Sequence, residues 1–169
     1  MSINLFFVLI LGLLVGMFAY FKPAYTSYGT GEEIPAIELQ TFTLYEISRQ
    51  GIDHVLTGED GKMFDDRYEI SSAIFSDNTK KLAQTVKAQK AVYRNDVVDL
   101  SGNVRYERAD GLRFFSKEGK YDTNLSVVST KGAFEIIQNR HRVEGTKLYY
   151  NTARDTVSAD SVSGVYQLK

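Results

Sequence analysis

Three pairs of carboxylates are the residues most able to do chemistry in this chain: Glu59 with Asp60, Asp65 with Asp66, and Asp96 with Asp99. Two acids facing one another across a sugar are the minimum equipment of a glycosidase. These pairs fall at expected turns or strand ends, where acids are ordinary, so they do not form a catalytic pair. The two histidines, His54 and His141, have no second ligand at a metal-like spacing. There is no G-x-S-x-G elbow, no G-x-x-x-x-G-K-[ST] loop and no cysteine. The expectation is a protein that is not an enzyme and that uses no cofactor or metal.

A basic group, Lys80, Lys81, Lys87, Lys90 and Arg94 with Arg140 and Arg142, has two readings. It is either the rim of a cavity set against lipid phosphates or a solvated surface. Nucleic acid is not an expected partner, because 20 Lys and Arg face 21 Asp and Glu. One further motif, "DTNLS" at 122–126, fits the acid-preceded N-glycosylation sequon of some bacteria.

The elements that carry these residues are mostly extended. Apolar and polar residues alternate at 37–47, 67–75, 91–107, 112–122, 125–130, 133–137 and 156–168. Period-two runs rich in Val, Ile, Thr, Tyr and Phe, separated by Gly, Asp or Asn, predict antiparallel strands. Turns are expected at 58–62, 109–111, 122–124 and 137–141. The stretch 78–92 reads as strand, with helix as its alternative. A repeat is marked by Tyr93, Tyr121 and Tyr150, spaced 28 and 29 residues apart. Each is followed by a polar turn, an alternating strand and then Gly, as in a sheet extended by stacked hairpins.

Ahead of the sheet, Ile3 to Phe21 is 19 residues without a charge. As a helix it spans roughly 28 Å, which matches a bilayer core. The segment before it is only Met1 and Ser2, and no small-x-small site follows, so an uncleaved anchor is expected in place of a signal peptide. Gly12 and Gly16 are candidates for close helix packing within the membrane. The expected organisation is an anchor at 1–21, a tether at 22–35 containing both prolines, and a β domain at 36–169. Lys22 alone favours a cytoplasmic body by the positive-inside rule.

The anchor, the Pro-containing tether, "IELQTFTLYEISRQG", "VVDLSGNVRYE" and "GKYDTNLSVVSTKGAFEI" together resemble the LptC family of lipopolysaccharide export proteins and its OstA-like relatives. The likeness runs over nearly the whole chain. Its most specific part is the Gly-Asn-Val step within 100–104, followed by Tyr121-Asp122 and the unit at Gly132. The resemblance implies an all-β fold, a twisted, partly open antiparallel β-jellyroll behind an N-terminal transmembrane helix. It also implies a single-pass inner-membrane protein whose C-terminal domain lies in the periplasm, against the vote of Lys22. Its partners would be lipopolysaccharide, inner-membrane ABC transporter subunits of the LptB, LptF and LptG type, and a soluble LptA-like jellyroll.

Alternation then nominates a lipid-binding inner face: Leu44, Tyr68, Ile70, Val98, Leu100, Val104, Tyr106, Leu112, Phe114, Phe134, Ile136 and Leu148, together with Ile74, Val127, Val157, Ala159 and Val162. The C-terminal run "VSADSVSGVYQLK" is expected to be an edge strand that docks a partner through Val162, Gly164 and Tyr166. Two functions remain open. One is a membrane-anchored lipid relay; the other is a bitopic scaffold that recruits a jellyroll partner by strand pairing around a solid core.

Overall fold

The computed structural model describes residues 33–167, so the expected anchor, Gly12, Gly16, Lys22 and most of the tether lie outside the described residues. Among the described residues no helix is long and apolar enough to cross a membrane. Ten strands follow in chain order: β1 (Ile37–Ser48), β2 (Gly51–Met63), β3 (Tyr68–Asp77), β4 (Gln84–Arg94), β5 (Val97–Arg108), β6 (Leu112–Asp122), β7 (Val127–Ser129), β8 (Ala133–Gln138), β9 (His141–Asn151) and β10 (Thr156–Val165). They form one antiparallel sheet in which nearly every strand pairs with its sequence neighbours. The exception is the β6–β9 gap, which β7 and β8 share end to end as two halves of a broken strand. β1 and β10 are the two edges.

The sequence reading of an all-β antiparallel sheet holds, and 84–94 is strand. Three local expectations are corrected. The glycine-containing stretch 58–62 is not a turn but lies inside β2. Its glycines serve packing: a Cβ on Gly58 would sit 2.8 Å from the Phe42 ring and 2.7 Å from Ile70 Cγ2, and one on Gly61 would meet Phe42 at 2.7 Å. The run 91–107 is not continuous. Asn95 and Asp96 both take positive φ, 49° and 61°, the conformation of a tight two-residue hairpin turn, and split it into β4 and β5. Finally, β9 was not among the expected strands, because its alternation is broken by Gly145 and Lys147.

The tyrosine repeat has a physical basis. Tyr93, Tyr121 and Tyr150 each end a strand at the same end of the sheet, one hairpin apart, and the turns that follow them stack. Thr123 donates its amide and its hydroxyl to the Asp96 carbonyl, both at 2.9 Å. Thr152 repeats this on the Ser126 carbonyl at 2.8 and 3.0 Å.

A crease crosses the sheet through strand interiors. Thr41, Ser72, Asn103, Lys147 and Ser161 have φ between 44° and 54°, and Gly102 has φ 75°. They are neighbours in register. Thr41 lies opposite Glu59, whose carboxylate accepts the Ser72 hydroxyl at 2.9 Å. Ser72 lies opposite Gln89, whose side chain fills the space a Cβ on Gly102 would need. On the far side, Lys147 donates its amide to Gly132, between β7 and β8. Each left-handed residue bends its strand as a bulge does and slips the alternation by one position. Leu39 and Phe42, Ile70 and Ala73, and Gly145 and Leu148 therefore share a face despite their odd spacing. Five of the six buried hydrophobic residues among the described residues, Ala73, Ala88, Val104, Phe134 and Leu148, flank this crease, and the sixth, Val127, opens β7.

Candidate functional site

Residues paired across an antiparallel sheet share a face, so the register turns strand alternation into rows. One row runs Leu44, Leu56, Phe75, Val86, Tyr106, Phe114, Ile136, Val143 and Gly164, from edge to edge with no polar member except the Tyr106 hydroxyl. On the other side of the crease a second row runs Ile37, Met63, Tyr68, Tyr93, Val98, Tyr121, Val128, Tyr150 and Val157. A third, from Leu39 through Gly61, Ile70, Ala91 and Leu100 to Gly119, lies beside it. Contacts across the crease place all of these on one face, since Phe42 approaches both Gly58 and Gly61 and Val104 faces Gly119. The opposite face carries polar rows such as Gln40, Asp60, Ser71, Lys90, Ser101 and Glu118.

The two ends of the apolar face differ. At one end tyrosine hydroxyls reach out to turn carboxylates, Tyr93 to Asp96 at 2.9 Å and Tyr150 to Asp155 at 3.0 Å. Those hydrogen bonds hold both phenols above their ordinary pKa, because the neighbouring carboxylate disfavours a phenolate. At the other end the same parity brings Glu46, His54, Asp77, Gln84 and Arg108 into one row. His54 lies 2.8 Å from Glu46 and 3.4 Å from Asp77 and stacks on Phe75. Arg108 grips Asp110 through two hydrogen bonds of 2.9 and 2.8 Å, and Gln138 adds a third at 3.2 Å. The guanidinium holds the Asp110 carboxyl down at about 2. Tyr106, whose hydroxyl donates to Gln84 at 2.7 Å, is pushed up by burial. The face is thus a broad apolar strip bounded by hydroxyls at one end and by paired charges at the other. It offers shelter to hydrocarbon, and among the described residues no group of metal-binding side chains accompanies it.

Residues 7–167 match the model of the family described as lipopolysaccharide-assembly, LptC-related. The chain belongs to this LptC-related family. Among solved structures it is similar to LptH from Pseudomonas aeruginosa, described as the LptA-homologous periplasmic component of the conserved lipopolysaccharide transport device. That likeness has a TM-score of 0.56 at 15% identity and covers 68% of this chain and 95% of LptH, which establishes a shared fold. No curated protein matches the chain.

Within this LptC-related sheet, all twelve nominated lipid-face residues lie on the apolar face. Leu44, Tyr106, Phe114 and Ile136 share one row; Tyr68 and Val98 share the second, and Ile70 and Leu100 the third. Val104 and Phe134 line the crease beside Ser116 and Gly145, Leu148 adjoins the buried Thr130, and Leu112 stands at the charged end beside Gln138. Two of the wider set do not join them. Ile74 pairs with Thr57 and Lys87, and Val127 pairs with Asp122 and Asn151, in rows of the opposite parity, although Val127 is itself buried whereas Ile74 is exposed. For Ile74 the cause is Ser72, whose left-handed backbone slips the pattern by one. Leu56, Phe75, Val86 and Val143 were missed. The glycines of β2, the lysines of β4 and Gly145 with Lys147 in β9 mask the period around Leu56, Val86 and Val143, the left-handed Ser72 slips it ahead of Phe75, and only the pairing partner reveals the face.

The basic residues are largely engaged on the polar side. Lys87 meets Glu107 at 3.6 Å, Lys90 meets Glu69 at 2.9 Å, Arg94 meets Asp66 at 3.2 Å, and Arg142 meets Glu135 and Glu144 at 2.8 and 2.6 Å. Hydrogen bonds from Arg67 and then Lys90 lower the pKa of Glu69. This is a solvated, cross-paired surface. On β10, Val162 is 58% exposed, Gly164 pairs with Val143, and Tyr166 beyond the strand is exposed and lies 5.3 Å from the His141 ring.

Proposed function

We propose that this chain is a membrane-anchored periplasmic relay for lipopolysaccharide. It receives the lipid from an inner-membrane ABC transporter of the LptB, LptF and LptG type and passes it to a soluble LptA-like jellyroll. The LptC-related family and the LptA-like fold support a role in lipopolysaccharide transport. The observation that carries the relay reading is the apolar row from Leu44 to Gly164, unbroken between the two sheet edges. Burying an acyl chain of about fourteen carbons is worth roughly 10 kcal/mol, so a lipid leaving a bilayer needs a continuous apolar path. With no nucleotide-binding loop of its own, the chain would be a passive path driven by its partner. Val162, Gly164 and Tyr166 would extend that path by strand pairing with the next jellyroll.

One observation favours the scaffold alternative: the centre of the face is packed, with Val104 4% and Phe134 5% exposed. Photo-crosslinking residues at Leu44, Phe75, Tyr106 and Phe114, with Ile74 on the opposite face as control, separate the two. The relay gives lipopolysaccharide adducts at the four and not at Ile74, lost when the transporter's ATPase is disabled. Partner adducts from Val162 with no lipid adducts at any of the four would leave the scaffold.

A further inference from the structure

The turn between β6 and β7 carries a pentapeptide whose Asp122, Thr123 and Asn124 hydrogen-bond within the stacked turns, and whose order also spells a modification motif. It reads Asp122, Thr123, Asn124, Leu125, Ser126, and it holds the chain's single Asn-x-Ser/Thr triplet, with an acid two residues ahead of the asparagine. The stacked turns on either side do without this order. The first uses Asn95 and Asp96 alone, and the third runs Asn151-Thr-Ala-Arg-Asp155. A turn built only to reverse the chain would not place a leucine at its tip, yet Leu125 is 65% exposed.

The geometry presents three recognition groups at once. Asn124 is exposed, and its carboxamide nitrogen donates one hydrogen bond, to Asp96 Oδ2 at 3.1 Å. That bond steadies the amide and leaves its second N–H free among the described residues. Asp122 Oδ1 accepts the Leu125 amide at 2.9 Å and so fixes the carboxylate beside the tip. Ser126 has φ 54°; its carbonyl is taken by Thr152, while its hydroxyl has no partner among the described residues. The turn lies at strand ends between β6 and β7 and is not itself part of either outermost strand, β1 or β10.

We propose that Asn124 is the acceptor of an N-linked glycan. The donor class is an oligosaccharide joined through its anomeric carbon to a polyprenyl pyrophosphate. A transferase that reads the acid at the second preceding position forms the bond from Asn124 Nδ2 to that carbon. The carbon–oxygen bond to phosphate breaks, the polyprenyl pyrophosphate leaves with the electron pair, and the amide proton passes to a base of the transferase. No oxidant or reductant is consumed. The proposal rests on the periplasmic placement argued above, because the transfer occurs on that side of the membrane.

The test is the mass of the full chain isolated from membranes of the cell that encodes it, with sequencing of the tryptic peptide Tyr121–Lys131. The expected result is a peptide heavier by one glycan, with the added mass lost in both N124Q and S126A and largely lost in D122A. In parallel, K81C in this cysteine-free chain, exposed in the loop between β3 and β4 at the other end of the sheet, is probed on intact cells with a membrane-impermeant maleimide. Labelling together with an unmodified Asn124 overturns the glycan and leaves the relay standing. No labelling overturns the periplasmic placement and this proposal together. Added mass that survives N124Q also overturns it.

Discussion

Val104 and Val162 are the same residue on the same face of one sheet, and they are 4% and 58% exposed. Val104 lies in β5, with β4 and β6 on its flanks and the crease beneath it. Val162 lies in β10, with β9 on one side and no strand on the other among the described residues. The contrast extends along both edges: Ile37, Leu44, Val157 and Val162 are exposed, whereas the centre holds the buried residues. Residues of one type are thus covered beside the crease and left open on the outermost strands, although Tyr68 and Phe75 on the doubly flanked β3 are also exposed. Apolar area at the edges keeps its transfer energy, about 25 cal/mol per Å², in reserve for whatever covers it.

Given that contrast, truncation at the centre must cost far more than truncation at the edge. Phe134→Ala, which removes the ring stacked on Phe114, is expected to lose about 3–5 kcal/mol in urea unfolding, whereas Leu44→Ala at 51% exposure should lose less than about 1 kcal/mol. Equal losses would break the comparison. Next in size is Gly145→Ala: the new Cβ would sit 2.8 Å from the Phe134 ring and 3.1 Å from the Asp160 carbonyl, so a loss of about 1–3 kcal/mol is expected. Gly111→Ala has open space, but its φ of 87° makes it a test of backbone strain alone, about 1 kcal/mol.

The charged end sharpens the comparison by pH. The folded pKa of Asp110 is lowered from 3.8 to about 2 by Arg108, so its contribution is present above 3.8 and is lost as pH falls through about 2. Asp110→Asn should therefore be less stable than the parent at neutral pH, and the gap should close across that acid window in pH-dependent denaturation. A gap that persists at the acid end would assign the effect to packing. The smallest effect is expected from Lys90→Met. Its ion pair with Glu69 is half exposed on the polar face and should contribute within about 1 kcal/mol, fading with added salt.

Much of the apolar face was legible because alternation persists within each half-strand: Val98 and Leu100, Phe114, and Phe134 and Ile136 could be assigned from local period alone. Ile74 failed for a specific reason. It follows Ser72, and a serine in the left-handed region has no local signature comparable to the Asn95–Asp96 pair. The glycines of β2 misled in the opposite sense, since Gly58 and Gly61 resemble turn residues but make room for Phe42 from the neighbouring strand.

The sequence by itself determined that the chain forms antiparallel strands, where most of them turn, and that the tyrosines at 93, 121 and 150 stand in equivalent places. These follow from side-chain period and turn chemistry, which act over a few residues. Only the tertiary structure decided the crease, the slip of parity across it, and which valines and leucines are covered. Those depend on what lies across the neighbouring strand, as with Glu59 holding Ser72 or Gln89 filling the space beside Gly102. A one-dimensional pattern does not contain its own pairing partners.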